Sequence, residues 1–203
     1  MIQKQLNSLG LPILLIVFFV SLFLIRLITF RDIYLEVSEF PAEFNLRNFF
    51  LFNYFIHAFP VAVGIFLLVL VYKFIYYSIS DIQVSFNETM KAVLLVKIVL
   101  LIDPIIKMVY FLANLDLLTN ERFLNFERIY SINIFLDNPT SILDKYLSYF
   151  DFFFFLSVVI LASLFVPITK LSFSTNLKLV LLTDLVIGIL SVYISSSIWS
   201  SFS

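Results

Sequence analysis

The chain has 203 residues, of which 62% are hydrophobic and only 13% are charged, and its mean hydropathy is +1.05. A soluble domain carries about a quarter charged residues, so this composition excludes an ordinary water-soluble fold. The formal net charge of −1 provides no basic surface for nucleic acid. Because the chain has no cysteine and one histidine, disulfides, thiolate metal sites and a multi-histidine metal site within one chain are excluded.

Long apolar runs are the dominant feature of the sequence. A run of about 18 or more apolar residues, folded as a helix, is long enough to cross a hydrocarbon core of about 30 Å. The sequence therefore predicts an all-α integral membrane bundle that forms one domain over residues 1–203. Its five transmembrane helices are expected at about 11–30, 49–77, 88–113, 148–166 and 177–199.

Local signals mark the predicted helices. The first run follows a lysine but has no small-residue cleavage site after it, which predicts an uncleaved signal anchor. Pro60 favours a kink inside the second span. Ser85 and Glu88 have the spacing of a capping box at the start of the third span. Pro167 is expected to end the fourth span, and a polar turn over residues 172–176 leads into the fifth.

Two segments outside the spans, 31–48 and 114–147, are predicted to form caps on the far side of the membrane. The longer segment is too charged to span and too apolar to float freely, which favours an interfacial or partly folded cap. In the shorter segment, Glu36, Glu39 and Glu43 are interpreted as a solvated acidic surface or a docking surface for a basic partner. Cation binding there is the alternative.

The distribution of charge favours a cytoplasmic N-terminus. Positive charges divide almost equally between the two sides, but the acidic residues concentrate in the far-side segments. Three tyrosines, Tyr72, Tyr76 and Tyr77, fit an interfacial aromatic belt at the cytoplasmic end of the second span. The lysines expected at cytoplasmic ends are Lys4, Lys73, Lys91, Lys170 and Lys178.

Ionisable residues at membrane depth are the first candidates for function, because each is costly unless it is paired or hydrated. Asp103, Lys107, Tyr110 and Asn114 follow one another at spacings of four, three and four, which puts them on one helical face. One interpretation is a polar seam that lines a proton or ion path. The favoured interpretation is a set buried against a neighbouring helix, in which Asp103 and Lys107 neutralise each other as an i,i+4 pair.

The fifth predicted span carries a second polar face. Asp184, Gly188, Ser191 and Ser195 repeat the same spacing, and small and polar residues on one face are typical of helix–helix contacts in lipid. We interpret this face as a packing surface with Asp184 hydrogen-bonded to a neighbour, and substrate or proton binding by Asp184 as the alternative. A similar estimated depth also allows Lys97 of the third span to pair with Asp184.

Other chemistry has less support in the sequence. His57 is a possible proton relay, but a lone histidine three residues before a proline more often fills a hydrogen bond opened by that proline. Asp103 and Asp184 as the pair of an intramembrane aspartyl protease are disfavoured, because neither has glycine-rich neighbours and their estimated depths differ. No phosphate loop, G-x-S-x-G or H-E-x-x-H motif occurs. We therefore predict no catalytic residue, no metal ligand, no cofactor and no enzymatic activity.

The C-terminal third carries a family-like pattern. Residues 149–153 read Tyr-Phe-Asp-Phe-Phe at the start of the fourth span, a short turn follows at 168–172, and 176–178 open the fifth. In this pattern and in the count of five spans, the chain resembles the Yip-domain family of small membrane proteins. It lacks the acidic-aromatic-Gly-Pro motif and the long cytosolic N-terminal region of eukaryotic members, so the resemblance implies a bacterial-type member, located in a bacterial cytoplasmic (inner) membrane. The resemblance implies a non-enzymatic partner of other membrane machinery and transfers no functional residue.

These observations together predict a non-enzymatic accessory or scaffold subunit in the lipid bilayer. It would pack against other integral membrane proteins or against copies of itself, using the small-polar face of the fifth span and a surface rich in the 26 phenylalanines. The alternative is a small transporter, or an ion- or proton-conducting protein, that uses Asp103, Lys107 and Asp184.

Overall fold

The computed structural model describes residues 10–28, 46–113 and 151–200. Six helices and no β-strand occur in these ranges, which confirms the all-α class for this part of the chain. The predicted cap segments lie outside the described residues, except for 46–48, which belong to the second helix. The helices are α1 (Leu11–Ile28), α2 (Leu46–Ser80), α3 (Phe86–Leu100), α4 (Ile102–Ala113), α5 (Phe152–Thr169) and α6 (Phe173–Ser200).

Three of the described helices are long and apolar enough to cross a membrane, over Ala58–Ser80, Phe152–Thr169 and Phe173–Leu190. In α1 the corresponding apolar stretch, Leu11–Ile25, is shorter. α3 and α4 have 15 and 12 residues, so neither is long enough by itself. These helices are compatible with a membrane protein, and the count of five spans stays a prediction.

The third predicted span, 88–113, is two helices rather than one. α3 ends at Leu100, and the N–H of Leu101 donates to the Ile98 carbonyl at 3.1 Å in the tighter pattern of a 3₁₀ turn. The cause is Pro104, which has no N–H to donate to the Leu100 carbonyl and whose ring crowds that carbonyl. The prediction of one continuous helix here is therefore wrong.

Two prolines lie inside helices without ending them. α2 is continuous across Pro60 from Leu46 to Ser80. Pro167 was expected to end α5, but it lies in the last turn, where its missing N–H removes only one hydrogen bond, and the helix continues to Thr169. Lys170, with a left-handed φ of 62°, is the residue at which α5 ends.

α6 begins earlier than predicted, at Phe173 rather than at 177. Oγ of Ser172 accepts the N–H of Thr175 at 3.2 Å, which is the contact of an N-cap. The N–H of Asn176 donates to the Ser172 carbonyl at 3.0 Å, as in the first turn of a helix. Residues 172–176, predicted as a polar turn, are therefore the cap and first turn of α6.

The capping box predicted at the start of α3 does not form. Ser85 is the N-cap residue, but its side chain makes no capping hydrogen bond. Instead, the hydroxyl of Thr89 donates to the Ser85 carbonyl at 2.9 Å. Because Thr89 is fully buried, this bond within the helix satisfies its hydroxyl without a partner from another helix.

α3 lies at the centre of the described helices. It packs against α1, α2 and α5, and its residues Ala92 and Leu94 are fully buried. α6 packs mainly on α5 and also on α2. Phe86, the first residue of α3, lies against Phe66 of α2 with ring centroids 5.7 Å apart, so the chain doubles back along α2 before α3 begins.

The outer surface of this bundle is apolar. Large hydrophobic side chains point outwards from every long helix, and the exposed fraction reaches 72% at Phe59 of α2 and 57% at Leu182 of α6. Monomeric soluble proteins rarely expose contiguous apolar surface on this scale. The same surface is the expected boundary of a helical bundle with hydrocarbon, in which backbone groups are satisfied inside each helix.

Candidate functional site: a polar cluster between apolar helices

A tyrosine of α2 donates a hydrogen bond to an aspartate of α6 inside the apolar bundle. The hydroxyl of Tyr72 lies 2.5 Å from Oδ1 of Asp184. Asp184 is eleven residues from the start of α6, or about 16 Å along the helix at a rise of about 1.5 Å per residue. The Tyr72 side chain is fully buried and Asp184 is half-buried. Asp184 is thus hydrogen-bonded to a neighbouring helix, as the packing interpretation requires.

A second contact joins the same two helices nearer the start of α6. The hydroxyl of Tyr76 donates to Oδ1 of Asn176 at 2.7 Å. Nδ2 of Asn176 donates to the carbonyls of Leu171 and Ser172, at 3.2 and 3.1 Å. The hydroxyl of Thr169 lies 3.1 Å from the same Oδ1, so the end of α5 joins this network. Asn176 is completely buried and therefore ties the α5–α6 connection to α2.

The two tyrosines reach across α5 on either side of one phenylalanine. Tyr72 and Tyr76 are four residues apart and so share one face of α2. The Phe165 ring of α5 lies 5.2 Å from the Tyr72 ring and 4.9 Å from the Tyr76 ring, between centroids. All three side chains have no exposed surface. The aromatic packing fixes the positions from which both hydroxyls reach α6.

This arrangement corrects the interfacial belt predicted for the three tyrosines. Tyr72 and Tyr76 face the interior of the bundle, and only Tyr77 faces outwards, with 54% of its surface exposed. The physical reason is helical geometry: residues 72 and 76 lie on the same face, while 77 is turned about 100° from 76. A belt would need all three rings on the outside of the helix.

Lys97 of α3 is near enough to Asp184 for their charges to interact. The surroundings of Asp184 therefore include the hydroxyl of Tyr72 and the charge of Lys97. An ion pair between Lys97 and Asp184 stays a prediction. Opposite charges that face each other at this depth reduce the cost of holding either one away from water.

A separate charged group lies at the other end of α5. Nζ of Lys107 is 3.1 Å from Oδ2 of Asp103, so the predicted i,i+4 ion pair of α4 forms. Asp151 is the N-cap of α5 and accepts the Phe154 N–H at 2.7 Å. Burial raises the pKa of the Asp151 carboxyl, and nearby Asp103 raises it further, while the Phe154 N–H and Lys107 oppose this.

The remaining predicted site residues are distributed as follows. Tyr110 lies on the outer side of α4 with 40% of its surface exposed, and Gly188 is buried in α6. His57, Ser191 and Ser195 belong to α2 and α6, but their side chains lie outside the described residues, as does Asn114 altogether. The structure therefore gives Asp103 and Asp184 different partners, one in the charged group near α5 and the other in the tyrosine contact.

Sequence reasoning missed Tyr72, Tyr76, Asn176 and Thr169 as members of a polar cluster. Two tyrosines at i,i+4 spacing in an apolar helix were the available signal, because buried tyrosine hydroxyls usually find a partner. The partners lie 100 or more residues away along the chain, so no local pattern could identify them. Comparisons with protein-family models, with curated proteins and with solved structures found no match to this chain.

Proposed function

We propose that this chain is a non-enzymatic accessory or scaffold subunit of a membrane, which packs against other integral membrane proteins or against its own copies. Two features support the proposal: the helices share a buried hydrophobic core, and the outer surface of the bundle is apolar. Such a bundle presents a stable hydrophobic surface to neighbouring membrane proteins and needs no catalytic activity. Lipid and protein would then compete for the same outer faces.

The observation that best supports the proposal is that polar side chains between the helices form hydrogen bonds with one another. Tyr72 donates a hydrogen bond to Asp184, which joins α2 to α6. The hydroxyls of Tyr76 and Thr169 both donate to Asn176, which joins α2 and α5 to α6. In hydrocarbon, hydrogen bonds between helices fasten a bundle. Polar groups engaged in this way serve assembly of the chain, which leaves the outer apolar faces for its partners.

We further propose five membrane crossings, with α3 and α4 together making the third, in a bacterial cytoplasmic membrane with the N-terminus inside. The distribution of acidic residues supports this orientation, because they concentrate in the segments assigned to the far side, whereas positive charges divide almost equally. The resemblance of the C-terminal third to the Yip-domain family supports the same class of small, non-enzymatic membrane protein.

The decisive experiment is native mass measurement of the full chain purified in a mild detergent. The proposal expects a stoichiometric membrane partner or a defined oligomer. Tryptophan substitutions at outward positions on three helices, Leu67→Trp, Val159→Trp and Leu182→Trp, then map the interface. Only the variant inside the interface is expected to lose the complex, and the other two serve as matched controls. A strictly monomeric chain with no co-purifying protein contradicts the proposal.

A second candidate, a small transporter or an ion- or proton-conducting protein, is favoured by Lys97. This lysine adds a second ionisable group beside Asp184, which is more than a packing contact requires. In proteoliposomes this candidate expects a flux that Asp184→Asn abolishes while expression is kept, with Asp103→Asn testing the α4 ion pair in parallel. Flux that survives both substitutions, or its absence from the unaltered chain, contradicts the candidate.

A further inference from the structure

Three helices meet at one end of the bundle. The contact of Tyr76 with Asn176 brings the last turns of α2 to the first turn of α6. The connection at 170–172 joins the end of α5 to the start of α6. The structure therefore gathers the ends of α2 and α5 and the beginning of α6. We call this region the lysine end.

The lysine end carries an excess of positive charge among the described residues. Lys73, Lys170 and Lys178 belong to it, against the carboxylate Asp81. At the opposite end of α5 the described charged side chains are two carboxyl groups and one lysine, Asp103, Asp151 and Lys107, which lie close together. The two ends are separated by the 18 residues of α5, or about 27 Å. Among these described side chains, the net charge is therefore +2 at the lysine end and −1 at the other end of α5.

The side chains at the lysine end combine exposed ammonium groups with exposed aromatic rings. Lys170 and Lys178 are exposed, and so are the rings of Tyr77 and Phe173. Nζ of Lys73 lies 5.8 Å from the centre of the Phe86 ring, a cation–π contact that keeps its charge at the helix surface. Cations beside aromatic rings, with an apolar surface next to them, match a lipid whose phosphate lies above its acyl chains.

We propose that the lysine end binds the phosphate headgroups of anionic phospholipids in the leaflet that surrounds it. Lys170 and Lys178 make the main electrostatic contact, and the outward apolar faces of α5 and α6 lie against the acyl chains. This inference rests on the chain crossing a bilayer, as proposed above, but not on its having a protein partner. Each lysine at a membrane surface strengthens binding of anionic lipid by about fivefold.

The test compares lipid retention by three forms of the full chain in mixed micelles of phosphatidylglycerol and phosphatidylcholine. Native mass spectrometry of the unaltered chain is expected to show more phosphatidylglycerol bound than phosphatidylcholine. The double variant Lys170→Gln/Lys178→Gln is expected to lower that ratio about 25-fold, because each lysine contributes about fivefold. The matched variant Lys170→Arg/Lys178→Arg keeps the charges and should keep the ratio. Equal retention of both lipids by the unaltered chain, or an unchanged ratio in the glutamine variant, overturns the proposal.

A second measurement needs no substitution. In nanodiscs, phosphatidylglycerol is expected to raise the thermal midpoint of the unaltered chain above its value in pure phosphatidylcholine, and added NaCl should remove the increase. An equal increase from inorganic phosphate in phosphatidylcholine nanodiscs overturns headgroup binding. If the unaltered chain shows no preference for phosphatidylglycerol but still co-purifies with a protein partner, only lipid binding at the lysine end is rejected. If the chain does not enter nanodiscs, both lipid binding and membrane insertion are rejected.

Discussion

The hydroxyl of Tyr72 and the carboxyl of Asp184 come from helices that are separated by more than 100 residues of chain. Both groups lie among hydrocarbon side chains, where a polar group without a hydrogen bond costs more than it would in water. The contribution of such a hydrogen bond to the free energy of unfolding is nevertheless moderate in membranes, because partly unfolded helices in lipid also find partners for their polar groups.

Replacing Tyr72 by Phe is expected to destabilise the fold by about 0.6–1.7 kcal/mol, the range for hydrogen bonds between membrane helices. The ring would still pack on Phe165, so the loss reports the hydroxyl alone. A double-mutant cycle with Asp184→Leu, followed by thermal or chemical unfolding in detergent, isolates the pair. Additive effects of the two substitutions would show that the bond contributes nothing.

Asn176 supports more contacts than any other described polar side chain in the cluster, so its loss should cost more. Asn176→Leu would leave the hydroxyl of Tyr76 and the Leu171 carbonyl without their present partner, while the Ser172 carbonyl would keep the backbone N–H of residue 176. Each buried group left unpaired costs about 1–3 kcal/mol. We expect a lower unfolding midpoint than for Tyr72→Phe, with Ser174→Leu on the exposed side of the same turn as the control. Equal midpoints for Asn176→Leu and Ser174→Leu would contradict this account.

At the scale of the helix, Pro104 divides what would otherwise be one span. Its effect can be reversed, because alanine at 104 restores an N–H that can donate to the Leu100 carbonyl. Pro104→Ala is therefore expected to join α3 to α4 and to slow amide hydrogen exchange over residues 101–105.

Pro60→Ala is the matched control, since α2 is already continuous at that point. Exchange measured by mass spectrometry should change much less around residue 60 than around residue 104. If the amides at 101–105 exchange at the same rate in Pro104→Ala as in the unaltered chain, a cause other than the proline separates the two helices.

The sequence predicted helices well and their partners poorly, and both results have physical causes. Apolar runs identify helices because a helix satisfies its own backbone groups, so α5 and α6 were found with their ends displaced by one to four residues. The ion pair of Asp103 with Lys107 was predictable because it is local. The burial of Tyr72 and Tyr76 depends on which helices lie beside α2. A single sequence does not indicate which helices are neighbours, because these contacts join residues far apart in the chain.

At the scale of the molecule, one claim supports the rest: the outward apolar side chains contact hydrocarbon rather than water. The chain has no cysteine, so single cysteines can be introduced into an otherwise unreactive background. Leu67, Val159 and Leu182 are exposed on the outer sides of three different helices, whereas Ser174 is exposed in the first turn of α6.

The measurement is the rate at which a membrane-impermeant maleimide modifies each single-cysteine variant in native membranes. Cysteine at 67, 159 or 182 is expected to stay unmodified until the membrane is dissolved and the protein unfolded, because lipid covers these positions and a buried thiol remains protonated. Cysteine at 174 should react readily once the reagent reaches its side of the membrane. Rapid modification at 67, 159 and 182 in intact membranes would show that water covers these faces, and would contradict the account.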